Sequence, residues 1–504
     1  MNSRAVVAVA CALVGASVCV AEPVRLSERD GYGALVERWA GLAETMGLEG
    51  YAIALVRDGE LFGAEGFGTR DCERGEPVDA DTMFYIASCT KTYVAAAIVK
   101  LADEGKIDLD APLRRYLPEF ALADEAIARA VTPRDLLGHS AGIRSSNAVF
   151  LDAYTGAITD ARYFHWLAGE TPSGEINYTN IHYTLLGRVI ERVTGESWRD
   201  YLDSHMFTPA GMHRTTGYAS EMYTDPNAAF PHVWRATGPE RADVVKSDEV
   251  MHAAGGLGTS AIDGARWIML QMHEGELDGA RVYSREAAQE MLREQSRFDS
   301  TKGSVRAMDG FAGGWQMGTW RGGPRYYQHG GGYIGTAAHL SFIPDKGLGV
   351  VVLANTSPEG NAFADVVSID FYDHELETEN PGDFLQPYAE RVQRLHSRAE
   401  EALLPRLTSE QLSLPARRYV GSYYNEWLGR IDVSFDRGEL VARMGNFSFS
   451  MHAAEDGAVD AFRLVASGTT ACRFVVRDEV AALEMIDEET GTDRFDRVPD
   501  PRVR

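Results

Sequence analysis

Apolar residues recur every three to four positions over 33–47 (GALVERWAGLAETMG), which predicts an amphipathic helix. Two apolar runs follow, YAIALV and LFGAEGF, separated by Arg57-Asp58-Gly59, and a glycine-containing turn between two such runs predicts a hairpin. From Ser88 onward the pattern is apolar on most faces of a helix (Tyr93, Ala95, Ala96, Ile98, Val99, Leu101), so this helix is expected to be buried. Helical patterns return at 180–194, 197–206 and 260–275. A second hairpin is expected at 336–354, where AAHLSFI and LGVVVLAN flank Pro344-Asp345-Lys346-Gly347. Strands at both ends with helices between them predict an α+β unit built on an antiparallel sheet.

A charged helix is expected at about 386–402, and the proline-bracketed stretch 403–415 reads as a linker. Beyond it the period changes to two. Ile431, Val433 and Phe435 alternate, Asp436-Arg437-Gly438 turns, and Leu440, Ala442 and Met444 alternate back; Phe447, Phe449, Met451, Phe474 and Val476 continue the pattern. Residues 416–504 are therefore expected to form a small all-β barrel, after a main domain spanning 22–402. A chain of 504 residues is too long for one ordinary core, which agrees with two domains.

Composition is that of a folded soluble protein, 45% hydrophobic and 24% charged. Acidic residues outnumber basic ones 74 to 49, and a formal charge of -25 repels phosphate backbones and anionic lipid, so nucleic acid is not an expected partner. At the N-terminus Arg4 precedes an apolar run from Ala5 to Ala21 that closes on Cys19-Val20-Ala21, the layout of a secretory signal peptide over 1–21. The run is short for a membrane span and no later segment resembles one, so a periplasmic or secreted protein is expected. A lipid anchor on Cys19 is disfavoured by the bulky Val18. Outside that segment only Cys72, Cys89 and Cys472 remain, with no metal-ligand spacing; one disulfide is feasible and a disulfide scaffold is not. The histidines are scattered without His-x-His or His-Glu-x-x-His spacing, so neither a metal nor a cofactor is expected. Nothing in the pattern sets an oligomeric state.

Three short motifs carry chemistry. In Ser88-Cys89-Thr90-Lys91 the first and last residues share a helix face, which places an amine beside a hydroxyl. Serine is a weak nucleophile until a neighbour takes its proton, and a buried lysine with a lowered pKa can do so. Tyr178-Thr179-Asn180 opens the next helix. Tyr178 next to a lysine is either held as phenolate or relays a proton, while Asn180 offers an amide to Lys91 and to a substrate carbonyl and also suits a helix cap. His329-Gly330-Gly331-Gly332 precedes the second hairpin, where glycines let a substrate lie against strand backbone. The Gly332 N–H can then join the Ser88 N–H as an oxyanion hole.

Together these motifs resemble the serine β-lactamase and penicillin-binding protein superfamily, nearest the branch of class C β-lactamases, D-aminopeptidases, D-stereospecific carboxypeptidases and related esterases. The resemblance covers roughly residues 30–375, including FYIASCTKTYVAAAIVKL, TPRDLLGHSAGI, INYTNIHYTLLGRVIERVTG and AAGGLGTS. It implies a sheet flanked by helices plus a helical subdomain. It also implies Ser88 as the acylated residue, Lys91 and Tyr178 sharing the proton, Asn180 assisting, and His329, Gly330 and Gly331 flanking a groove for a small peptide or ester. The third motif departs from the lactamases' Lys-Thr-Gly. His329 replaces the permanent cation and Gly330 the hydroxyl, so efficient penicillin hydrolysis is not expected; His-x-Gly is typical of the D-aminopeptidases, some carboxypeptidases and esterases. The C-terminal run from Tyr419 to Tyr423 resembles the lipocalin-like barrel of some such peptidases.

Gly138-His139-Ser140-Ala141-Gly142 matches a nucleophile elbow, which would make the chain an α/β-hydrolase. That motif needs a buried strand before the serine, whereas Thr132-Pro133-Arg134-Asp135 reads as a capped helix start. Ser145-Ser146-Asn147 imitates a Ser-x-Asn motif but lacks the following helix that supports Tyr178. The reading from another class is a non-catalytic binder of peptidoglycan fragments. The full set of catalytic side chains favours instead an acyl-enzyme hydrolase of D-amino-acid peptides, with carboxylesterase or class C-type β-lactamase as alternatives.

Overall fold

The computed structural model describes residues 23–378, apart from 145, 157, 236–237, 243–244 and 300–304. It also describes Glu390 and residues 407–498, apart from 437, 446, 455–456, 466–468 and 488–490. The expected signal peptide and nearly all of the expected helix at 386–402 lie outside the described residues.

The main body is a nine-stranded antiparallel sheet. Its strands in chain order are β1 (Gly50–Arg57), β2 (Glu60–Asp71), β3 (Glu76–Pro77), β4 (Ser296–Arg297), β5 (Arg306–Phe311), β6 (Gln316–Trp320), β7 (Arg325–Tyr333), β8 (Thr336–Ile343) and β9 (Leu348–Ala354). In space they run β4-β5-β6-β7-β8-β9-β1-β2-β3. The two expected hairpins are therefore neighbours, joined by the β9–β1 pairing of Tyr51 with Ala354 through Val56 with Gly349. The first turns on Asp58 and Gly59, both at positive φ (54° and 79°), the conformation that a two-residue turn of a twisted hairpin requires.

The period of two in β1 sorts its side chains to two cores. Tyr51, Ile53 and Leu55 pack with helix α1 (Gly33–Met46) and a C-terminal helix at Glu359–Glu375. Ala52, Ala54 and Val56 face helix α2 (Thr90–Asp103) and a helix at Ala261–Met272. Helix α2 is buried on nearly every face, as its sequence requires. A helical layer, including α3 (Asn180–Thr194), fills the space between the chain segments that supply the sheet. The pattern over 197–206 resolves into a short α-helix, Trp198–Leu202, and a π-helical turn, Asp203–Phe207.

Eight C-terminal strands from Gly421–Asn425 to Gly491–Val498 close into a barrel, the first pairing with the last. Tyr423, Ile431, Val433, Leu440, Phe449, Phe462 and Leu483 fill it. Of the stretch read as a linker, the described part is docked rather than free: the Leu407 N–H donates to the Met451 carbonyl at 3.1 Å and Ser413 N–H to Asp460 at 2.9 Å. The barrel also packs on the main body. Leu151 belongs to its core, Phe449 meets Phe150 at 6.0 Å, Phe447 meets Tyr154 at 5.8 Å, and Trp427 stacks on His165 at 3.4 Å. Gly445, at φ 55°, lies so close to the π-helical turn Leu151–Thr155 that a Cβ there would fall 1.8 Å from the Thr155 carbonyl oxygen.

All three described cysteines are free thiols. Among the described residues, no helix is long and apolar enough to cross a membrane.

Candidate active site

Ser88 lies in a single 3₁₀ turn, Ala87–Cys89, that runs directly into α2. Ala87 has φ 44°, left-handed geometry that a residue with a Cβ adopts at a cost, so the backbone is strained immediately before the serine. Lys91, one turn on, is fully buried and its ammonium donates to three oxygens: Ser88 Oγ at 3.0 Å, Asn180 Oδ1 at 2.8 Å and the Ala254 carbonyl at 2.7 Å. Burial pulls its pKa down to about 7. At neutral pH a substantial share of Lys91 is therefore the free amine that can accept a proton from Ser88. The buried Cys89 thiol donates to the His329 carbonyl at 3.3 Å and so ties the serine's turn to β7; burial pushes its own pKa up, which leaves it unreactive.

The second motif converges on the first. The Lys91 ammonium lies 4.9 Å from the centre of the Tyr178 ring. Burial raises the Tyr178 pKa and its interaction with Ser88 lowers it, with the rise prevailing. Tyr178, 40% exposed, is therefore a neutral phenol rather than a phenolate. Asn180 is the first helical residue of α3 rather than its cap. The cap is Thr179, whose hydroxyl accepts the Ile181 N–H at 3.4 Å, and this frees the Asn180 amide for Lys91.

β7 brings the third motif. β6 pairs with β7 only as far as Gln316–Gln328, so the edge from His329 to Gly332 is uncovered. In the ladder with β8, Tyr333 pairs with Thr336 across a two-residue turn. Alternation from that closing pair directs the Gly330 and Gly332 N–H groups to the open edge, where an oxyanion or a substrate backbone can meet them. Gly331 is glycine for a steric reason: a Cβ there would stand 2.1 Å from the Ile86 carbonyl oxygen, so only bare backbone brings β7 against the turn of Ser88. His329 is 4% exposed, and burial, then the neighbouring Lys91, pull its pKa down to about 3. It is neutral. Its Nδ1 lies 2.7 Å from the Gly330 carbonyl, which assigns the proton to Nδ1 and leaves Nε2 as an acceptor.

Ser88, Tyr178, His329 and Gly330 line a cavity of about 380 Å³ that extends to Arg306 and Asp365, themselves paired at 2.7 Å. Another cavity of about 370 Å³, walled by Phe150, Tyr154, Asn177 and Tyr178, shares the phenol with the first.

The rival motifs find other uses. Ser140 follows a short helix, Pro133–Leu137, whose Thr132–Asp135 capping box is complete, so there is no strand–turn–helix elbow. His139, at φ 56°, instead packs 4.7 Å behind Tyr178 and meets His182 Nδ1 to Nδ1 at 2.9 Å, a buried pair whose neighbours the short motifs did not reveal. Ser145 lies outside the described residues, but contrary to the sequence reading a short helix, Ser146–Phe150, does begin beside it, so a missing helix is not what sets this triplet apart from Tyr178. One group of metal-ligating types does occur among them, Asp71, Cys72 and His232. In that group His232 Nε2 accepts the Cys72 N–H at 3.1 Å and Arg74 and Arg241 stand 3.5 and 3.6 Å from the Asp71 carboxylate, while the buried His232 Nδ1 has no hydrogen-bond partner among the described residues and Cys72 is a free thiol.

A family model described as Beta-lactamase matches residues 39–370, the span that contains all three motifs. The chain belongs to the β-lactamase family. It is 32% identical over 339 residues to penicillin-binding protein 4 of Amycolatopsis lactamdurans, covering 66% of this chain and 87% of that protein. The octameric penicillin-binding protein homologue from Pyrococcus abyssi matches 92% of this chain and 99% of its own, with a TM-score of 0.60 at 22% identity. The class C β-lactamase from Rhodobacter sphaeroides covers 68% of this chain and 99% of its own, at a TM-score of 0.55 and 21% identity. This β-lactamase-family member is thus of the serine β-lactamase and penicillin-binding protein superfamily, in fold and in the three motifs of its groove.

Proposed function

We propose that the chain is an exported acyl-transfer hydrolase that cleaves amide or ester bonds of small D-amino-acid peptides, in the manner of a D-aminopeptidase or carboxypeptidase. The observation that carries the reading is the Lys91 ammonium 3.0 Å from Ser88 Oγ and pinned by two further oxygens. Lys91 takes the Ser88 proton as Oγ attacks the carbonyl. The Ser88 and Gly332 N–H groups receive the oxyanion, and Tyr178 passes the proton to the departing nitrogen or oxygen. Water then attacks the acyl-Ser88 ester, giving its proton back along the same route, and free Ser88 and the acid are released. The neutral His329 and bare Gly330 favour an amide or ester with no carboxylate at this place over a β-lactam, whose carboxylate seeks a cation and a hydroxyl. The apolar N-terminal run supports a periplasmic or secreted site of action.

The test is a panel of D-Ala amides, D-Ala-D-Ala peptides, p-nitrophenyl esters and nitrocefin, with Ser88→Ala as control. Turnover of the D-amino-acid amides that vanishes in Ser88→Ala is the expected result. Turnover of esters alone moves the reading to a carboxylesterase, and turnover retained in Ser88→Ala overturns it.

A further inference from the structure

A second buried lysine stands behind the groove and takes no part in the proton transfers described above. Lys246, 4% exposed, donates to the carbonyls of Ala153 and, at 3.3 Å, of Val250. Its ammonium lies 4.0 Å from the centre of the Tyr333 ring and 5.6 Å from those of Tyr85 and Tyr154. These rings touch one another: Tyr154 stacks on Tyr333 at 5.3 Å and Tyr85 meets Tyr333 edge-on at 5.7 Å. A cation removed from water is held by such carbonyls and ring faces and is costly without them.

Each contact leads to a part of the site. Tyr333 directly follows Gly332 at the tip of the β7–β8 hairpin, which β6 does not reach. Tyr85 begins the segment that runs through Ile86 and Ala87 to Ser88, and its hydroxyl bonds the Gly255 carbonyl, next to the Ala254 carbonyl that receives Lys91. Ala153 and Tyr154 belong to the turn that walls the second cavity. The tip is also held by β8, by the close approach of Gly331 to Ile86, by the His232 N–H donating to the Gly335 carbonyl at 3.2 Å and by Ile334 packing on the barrel's cluster; Lys246 adds the charged restraint on Tyr333 itself.

We infer that Lys246 is a positioning residue of the oxyanion hole, its ammonium clamping Tyr333 and through it the hairpin tip that presents the Gly332 N–H. The inference rests on the acyl-transfer reading. The titratable groups facing Lys246 are the three phenols, Asp152 of the same turn and His252. Asp152 raises the lysine's pKa, and His252 is held neutral by burial and by Lys246 itself. Burial outweighs Asp152 and draws Lys246 down to about 7. The clamp is therefore charged below that pH and lost above it. Lys91 titrates over the same range with the opposite requirement, since it must be neutral to accept a proton. The two lysines give the rate opposing limbs, ascending with Lys91 and descending with Lys246.

The test compares kcat and KM of the full-length protein, Lys246→Met and Lys246→Arg on a p-nitrophenyl ester between pH 5 and 10. Removing one oxyanion donor costs about 100- to 1000-fold in kcat, and loosening one costs less. Lys246→Met is therefore expected to lower kcat roughly 10- to 100-fold while KM moves less than about threefold. Lys246→Arg keeps its charge throughout, so it is expected to recover most of kcat and to abolish the descending limb, leaving a plateau. A folded Lys246→Met with kcat within twofold of wild type overturns the clamp, as does a Lys246→Arg profile that still falls at high pH. If Lys246→Met fails to fold, the Lys246→Arg profile decides. Wild-type protein that neither turns over the ester nor forms a fluorophosphonate adduct on Ser88 overturns the acyl-transfer reading and the clamp together. An active wild type with unaffected variants overturns the clamp alone.

Discussion

In the proposed mechanism Lys91 works only as the free amine, and its burial sets the pH at which it becomes one. With a pKa near 7, the proton-accepting fraction grows as pH rises through that value, so acylation is expected to increase about tenfold per pH unit below pH 6 and, with Lys246 losing its proton over the same range, to pass through a maximum near 7. Pre-steady-state burst rates against pH measure this directly. Lys91→Ala is expected to slow acylation by at least about 1000-fold, on the scale of losing the base of a catalytic pair, with circular dichroism unchanged. His329 gives the complementary expectation. Being neutral and buried, it offers a β-lactam carboxylate no charge-assisted bond, of the kind worth about 1.5–3 kcal/mol. Nitrocefin kcat/KM is therefore expected to fall roughly 10- to 150-fold below that of the best ester, as a spectrophotometric comparison would show.

At the scale of elements, the site is a meeting of a turn, a helix start and a strand edge, and each was legible to a different degree. The Ser88–Lys91 face and the start of α3 could be read because helix spacing is local: i and i+3 must be neighbours whatever the rest of the chain does. The hairpin at 336–354 was equally plain, since two runs of buried β-branched and aliphatic residues flank a turn. The open edge of β7 was not legible, because it depends on where β6 stops pairing, a fact set 13 positions away across the sheet. Nor was the grouping of Lys246, Tyr85, Tyr154 and Tyr333, drawn from four separate segments. Asn180 illustrates a local ambiguity: Thr179 and Asn180 both suit a cap, and the hydroxyl took that place, releasing the amide for Lys91. The close approach of β7 to the serine turn yields a further expectation. Gly331→Ala puts a methyl 2.1 Å from the Ile86 carbonyl oxygen and must push the strand away. Its cost in stability is expected to be about 1–3 kcal/mol by overpacking, measured by chemical denaturation. Its cost in kcat should reach the roughly 100-fold of a lost oxyanion donor.

Across the whole molecule, the barrel was foreseeable as an alternating meander but its attachment was not. Alternation identifies most of the side chains that fill the barrel, though Phe435, read in the same series as Ile431 and Val433, is exposed, and it is silent on which outer surface meets a neighbour. Gly445 is the critical point of contact, its backbone resting on the Thr155 carbonyl beside the turn that carries Tyr154. Gly445→Asn, whose side chain tolerates the left-handed backbone at φ 55°, is expected to leave the barrel folded and to displace that turn. Acyl substrates bulky enough to reach the second cavity should lose kcat/KM by roughly tenfold or more while a p-nitrophenyl acetate control changes little, given that small shifts in positioning carry such penalties.

The docking has a practical corollary for anyone who wishes to dissect the protein. Leu151 has its whole side chain in the barrel's interior cluster, and Phe150, Tyr154 and Trp166 lean on the same cluster. A recombinant fragment ending before Gly421 would carry this greasy scar into solvent beside its own active-site mouth, and poor solubility or self-association of such a fragment would follow from the missing cover rather than from misfolding of the catalytic half.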